Sequence, residues 1–228
     1  MNPRKSHPAA PARKSILIVD DHPIMREGLA QLINNEPDLT VCGEAESAEE
    51  ALSRVEATKP DLVLADITLP GKSGIELIKD LQAVRPGLEV LVLSMHDESL
   101  YAERVLRAGG RGYIMKQEGG RKLMAAIRHV LGGQVYVSEN MSARILDLFS
   151  GPRRTAAGSA VAKLTDREFE VFQLVGAGKG TRDIAGQLHL SVKTVEVHRA
   201  NIKRKLALKT APELVRHAVR WLESQRPV

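Results

Sequence analysis

The stretch that decides the fold is SILIVDDHP, residues 15–23. Its four apolar residues, Ile16 to Val19, predict a short strand buried on both faces. Two carboxylates, Asp20 and Asp21, follow at once. Adjacent like charges at the edge of a core repel each other and lose hydration. Such a pair needs a compensating partner.

Four more segments repeat the pattern of that strand. They are LTVCGEA (39–45), DLVLAD (61–66), EVLVLS (89–94) and GYIMK (112–116). Between them, residues 23–35, 47–57, 73–84, 98–108 and 119–131 carry apolar residues at helical spacing. Five strands alternating with five helices predict an α/β, doubly wound parallel sheet over residues 14–137. Residues 138–150 read as another helix. GPRRTAAGSA (151–160) has no apolar period and reads as a linker, so 138–160 form a linker with a short helix.

Residues 161–228 read as a second, all-α domain. Thr165 and Glu168 form a capping box signature. Thr181 is the expected N-cap of a short helix over 181–188, and Ser191 that of a longer one over 192–208. Pro212 sits in the first turn of a last helix, 211–225.

Charge divides the chain at the same place. Residues 15–137 carry 13 Lys/Arg against 19 Asp/Glu, a net of −6, and residues 161–228 carry 13 against 7, a net of +6. The two parts therefore suit different partners, and the basic one suits a polyanion. Apolar content of 43% is that of an ordinary globular protein, and no apolar run approaches a membrane span. The Pro/Ala-rich N-terminus lacks the apolar centre of a secretory signal and is expected to be a disordered arm. The single cysteine, Cys42, is expected to be a buried small residue. A cytoplasmic location follows from these features.

In an open α/β sheet, ligands bind beyond the carboxyl ends of the strands. The polar residues at those ends are Asp20, Asp21, Asp66, Ser94 and Lys116. Three carboxylates gathered there call for a hard cation, and Mg2+ fits, because it takes one or two carboxylates and keeps waters for a phosphate to replace. Asp66 is left as a nucleophile that can form an acyl phosphate. Lys116 would neutralise the phosphoryl oxygens, and Ser94 would donate a hydrogen bond to one. A phosphatase with an aspartate nucleophile would need a second acid two residues on, where this chain has Thr68; the chain is expected not to be an enzyme.

ILIVDDHP, LADITLPGKSG, VLVLSMHD and GYIMK resemble the receiver domain of two-component response regulators. The resemblance implies that Asp66 is the phosphoacceptor and that Asp20, Asp21 and Asp66, with the backbone carbonyl of Thr68, hold Mg2+. It implies that Ser94 and Tyr113 form the switch pair, that Lys116 binds the phosphoryl group, and that a sensor histidine kinase is the phosphodonor. Where many receivers have Pro after the lysine, this chain has Gln117.

In the basic part, a short helix, a tight turn and a longer basic helix read as a helix-turn-helix. On the longer helix Val195, Ile202 and Leu206 form the buried stripe. Lys193, Glu196, Val197, Ala200 and Arg204 lie opposite, bordered by His198, Arg199, Lys203 and Lys205. Such a helix fits the major groove: Val197 suits a thymine methyl and Glu196 a cytosine amino group. With Thr181 and Thr194 at the helix starts, these residues (Lys205 excepted) are the expected set facing a double-stranded DNA operator. LTDREFEVFQLVGAGKGTRDIAGQLHLSVKTVEVHRANIKRKL resembles the LuxR-type DNA-binding domain, so the whole chain is similar to NarL/FixJ-family response regulators. The resemblance makes 211–225 the candidate dimer surface, a homodimer forming on phosphorylation or on DNA. Phosphorylation is expected to draw in Ser94 and Lys116 and to move Tyr113 inward. The alternative is a phosphorylation-independent DNA-binding regulator with a structural receiver.

Overall fold

The computed structural model describes residues 13–143 and 160–225. The expected N-terminal arm, most of the linker and the end of the helix expected over 138–150 lie outside the described residues; within that helix, 139–143 are helical.

Five strands form one all-parallel sheet: β1 (Lys14–Val19), β2 (Leu39–Ala45), β3 (Leu62–Ala65), β4 (Glu89–Ser94) and β5 (Gly112–Met115), in the order β2-β1-β3-β4-β5. The alternation of side chains across a strand sends Ile16 and Ile18 to one face and Leu17 and Val19 to the other. All four are essentially inaccessible, and burial of each contributes about 1.5–3 kcal/mol. Helices α1 (Pro23–Asn34) and α5 (Gly120–Leu131) cover the first face; α2 (Ala48–Thr58), α3 (Gly74–Val84) and α4 (Glu98–Arg107) cover the second. Strand β2 is an edge strand, and only its two end residues are fully buried. Cys42, in its middle, is accordingly half-buried rather than buried, with its Sγ 3.6 Å from Thr58 Oγ1.

The C-terminal part is helical: α6 (Asp166–Gly176), α7 (Thr181–Gln187), α8 (Val192–Lys205) and α9 (Ala211–Gln225). The capping box of Thr165 and Glu168 is present. Thr181 is not an N-cap. Gly180 holds that position, its N–H donating to Asp183, and the Thr181 hydroxyl instead accepts from Arg199 of α8. Ser191 caps α8 as expected, and the helix stops at Lys205, three residues early.

Helix α6 is buried nearly all round, its charged face included. Its apolar face packs on α9, and its polar face lies against α3 and α4 of the sheet domain. There Asp166 accepts from Lys79 at 2.5 Å and from Arg104 at 3.0 Å, and Phe169 meets the Tyr101 ring edge-on. The core of that sheet face is thereby continuous with the core of the helical part. Among the described residues no helix is long and apolar enough to cross a membrane.

Candidate functional site

The order β2-β1-β3-β4-β5 reverses direction between β1 and β3, the point beyond the strand ends where open α/β sheets bind their ligands. The loops after these two strands carry Asp20, Asp21 and Asp66. One ligand atom from each, together with one from His22, lies within 4.8 Å of all the others. Asp20 and Asp66 are buried, and the Lys116 ammonium lies 2.7 Å from Asp20 Oδ2 and 2.7 Å from Asp66 Oδ2. Burial pushes the Asp66 carboxyl above its ordinary pKa, against the pull of Lys116. Burial would lower Lys116, but Asp66 and Asp20 outweigh it and raise the ammonium.

Local backbone fixes these acids. Asp20 Oδ1 accepts from the N–H of His22, and Asp66 Oδ1 from that of Thr68. Gly74, the first residue of α3, packs directly on the end of β3; a Cβ there would stand 2.1 Å from the Asp66 carbonyl oxygen. Asp21 Oδ1 lies 2.7 Å from His22 Nδ1 but is buried without a formed hydrogen bond. Two buried carboxylates, a third with an orphaned oxygen and a single ammonium form an under-compensated oxygen-donor set. That is the donor chemistry Mg2+ takes. The cluster could hold such an ion through Asp20, Asp21 and Asp66.

On the second feature, helix α8, Val195 and Ile202 are fully buried and Leu206, its C-cap, nearly so. Lys193, Glu196, Val197, Ala200 and Arg204 are exposed on the opposite side. Val197, an apolar side chain on that face, is 53% exposed.

Residues 16–128 match the response regulator receiver domain family, and residues 162–218 match the LuxR family of bacterial regulatory proteins. The oxygen regulatory protein NreC of Staphylococcus haemolyticus is 34% identical over 209 residues, covering 90% of this chain and 96% of the relative. NreC of Staphylococcus aureus is 37% identical over the same coverage. Among solved structures, a LuxR-family response regulator from Aurantimonas is 34% identical, with a TM-score of 0.57 over 61% of this chain and 100% of the other. RcsB of Salmonella enterica serovar Typhimurium, bound to the rprA promoter with phosphomimetic BeF3-, is 25% identical, with a TM-score of 0.59 over 91% and 98%.

This chain is a NarL/FixJ-family response regulator.

In this response regulator the receiver brings Asp20, Asp21, Asp66 and Lys116 together as expected. Thr68 lies beside Asp66. Ser94 is fully buried, its Oγ accepting from the His96 N–H. Tyr113 differs from the expectation. Its ring is already inward, 1% exposed, with its hydroxyl donating to the His96 carbonyl at 2.8 Å. Burial raises the pKa of that phenol well above its ordinary value, so it remains a donor, and the inward ring leaves no outward-to-inward swing to be made from here.

In the DNA-binding domain, His198 is half-buried. Burial lowers its pKa, and its Nδ1 finds no partner. Lys205 is committed to Glu168 at 2.6 Å. Thr194 is engaged with the Ser191 cap through both its N–H and its hydroxyl.

Two site residues escaped the sequence reading. His22 stands at the α1 N-cap between Asp20 and Asp21. His96 contacts Ser94 and Tyr113 through its backbone; its Nε2 lies 3.2 Å from Thr68 Oγ1, and its ring packs 5.0 Å from that of Tyr101. The available signal was position alone, since each stands two residues beyond a strand-end site residue.

Proposed function

We propose that this chain is a DNA-binding transcription regulator controlled by phosphorylation of Asp66. A sensor histidine kinase supplies the phosphoryl group: an Asp66 oxygen attacks the phosphorus, the bond to the kinase histidine nitrogen breaks, and that nitrogen leaves. Mg2+, held by Asp20, Asp21, Asp66 and the Thr68 carbonyl, would neutralise the oxygens of the transferring group. Lys116, already 2.7 Å from Asp66, screens the new dianion, and Ser94 donates to it. Single-handed reach of one ammonium to both Asp20 and Asp66 is the observation that carries this reading, because it sets the compensating charge where a phosphoryl group would form.

The receiver comprises residues 14–137, the linker 138–160 and the DNA-binding domain 161–228. Thr181, Lys193, Thr194, Glu196, Val197, His198, Arg199, Ala200, Lys203 and Arg204 face the DNA, outward residues of α8 reaching base edges and flanking basic groups holding phosphates. The RcsB complexes with promoter DNA support this role, and the RcsB dimers on DNA support a homodimer reading paired half-sites. Helix α9 is the candidate dimer surface. The regulator acts in the cytoplasm and performs no turnover of its own.

Incubation with acetyl phosphate and Mg2+ tests the reading. Intact mass should rise by one phosphoryl group, labile to alkali, in the parent and not in Asp66→Asn. Selection of genomic fragments with the two forms should yield one operator, bound more tightly after phosphorylation. Equal binding by parent and Asp66→Asn under phosphorylating conditions would overturn control by Asp66.

A further inference from the structure

The turn between α7 and α8, the turn of the helix-turn-helix, reaches across to the acidic pocket. His189 lies in it with φ of 52°, the left-handed region. His189 Nε2 is 3.0 Å from Asp21 Oδ2. The preceding residue is anchored too: Arg167 donates to the Leu188 carbonyl at 2.7 Å and to the Gly71 carbonyl, in the loop after Asp66, at 3.3 Å. His189 is thus held directly against the loop of Asp20 and Asp21, and Leu188 is linked to the loop after Asp66 only through the Arg167 guanidinium.

We infer that His189 and a divalent cation compete for Asp21, so that loading the pocket with metal frees the helix-turn-helix turn. The inference rests on reading Asp20, Asp21 and Asp66 as a Mg2+ site. Mg2+ binds through carboxylates while keeping several waters, so it would need room beside Asp21, where the imidazole stands 3.0 Å from Oδ2. A dication on Asp21 also draws off the carboxylate charge that attracts the ring N–H. Both effects have one sign. By linkage, docking must weaken metal binding by the same factor as metal weakens docking. The outward residues of α8 are exposed in the docked state, so the contact restrains where the reader sits rather than covering its face.

The test uses the full chain, Mg2+ as the only ligand, and two variants. His189→Gly suits the left-handed backbone while removing the ring. Arg104→Ala removes the contacts this side chain makes across the domain boundary, at a site outside the pocket. Mg2+ affinity is measured by calorimetry and domain release by small-angle scattering, with fluorescence of Trp221, the single tryptophan, whose ring packs on Phe169 and Phe172. Both variants should bind Mg2+ about fivefold more tightly than the parent, and Mg2+ should expand the parent. His189→Gly binding Mg2+ as the parent does, or more weakly, overturns the inference, whatever Arg104→Ala does. Absence of Mg2+ binding in parent and variants alike overturns the reading of the pocket itself, a distinguishable failure.

Discussion

The guanidinium of Arg104, on the receiver, lies 4.0 Å from the centre of the Phe169 ring in the DNA-binding domain. The same group donates to the carbonyls of Val161 and Leu164 and to the Asp166 carboxylate. One side chain thus closes three hydrogen bonds and a cation–π contact across the domain boundary. Arg104→Ala should weaken docking by about 1.5–3 kcal/mol, the range for a charged hydrogen-bond donor. Small-angle scattering should then show a more extended chain at unchanged helix content. An unchanged radius of gyration would mean that Arg104 is not the clasp.

Lys116 is the only ammonium within reach of both buried carboxylates among the described ion pairs. Lys116→Met leaves Asp20 and Asp66 buried and unpaired, which costs about 3–5 kcal/mol. Thermal unfolding without metal should show that loss, and millimolar Mg2+ should restore part of it. A variant as stable as the parent in the absence of metal would contradict the ion-pair geometry.

Gly74→Ala tests the close packing of α3 on β3. The added methyl meets the Asp66 carbonyl at 2.1 Å and the Ile67 Cα at 2.8 Å, both backbone atoms that cannot turn away. Destabilisation by about 3 kcal/mol or more is expected, within the range for severe overpacking. Phosphorylation by acetyl phosphate should fall in the fraction that still folds, since the strain falls on Asp66.

Glu170 gives the docked protein a pH dependence. Burial raises its carboxyl to about 7 against the pull of Arg167, which bonds it at 2.6 Å; Glu76 and Asp166 push the same way as burial. Its other oxygen has no hydrogen-bond partner. A raised carboxyl means that the folded state holds the proton more firmly than the unfolded chain. Stability is therefore present near pH 4.5 and is lost as pH rises to 7, with a slope of at most about 1.4 kcal/mol per pH unit. Glu170→Gln should flatten denaturation midpoints across that window; an unaltered slope would exclude Glu170 as its source.

On the DNA side, Lys203→Ala should weaken binding by a similar factor across operator sequences. The slope of log K against log salt should fall by about 0.9, the release of one counterion. A change confined to one base position would instead make Lys203 a base reader.

Sequence periodicity by itself determined the two architectures here. The run Ile16–Val19 could satisfy its apolar side chains only between two helical layers, and the stripe of Val195, Ile202 and Leu206 could only face inward. Strand-end position was enough to gather Asp20, Asp21, Asp66 and Lys116, because a parallel sheet delivers every carboxyl end to one edge. What only tertiary structure decided were the relations between distant segments. Nothing local in His96 or His189 marks them: the first matters because Thr68, Tyr101 and Tyr113 converge on it, the second because a left-handed turn in one domain meets Asp21 in the other. Tyr113 was already inward for the same reason, its hydroxyl finding a carbonyl 17 residues away. Short-range pattern fixes which face of an element is apolar; which polar groups meet depends on how the packed elements close, and that information is spread over the whole chain.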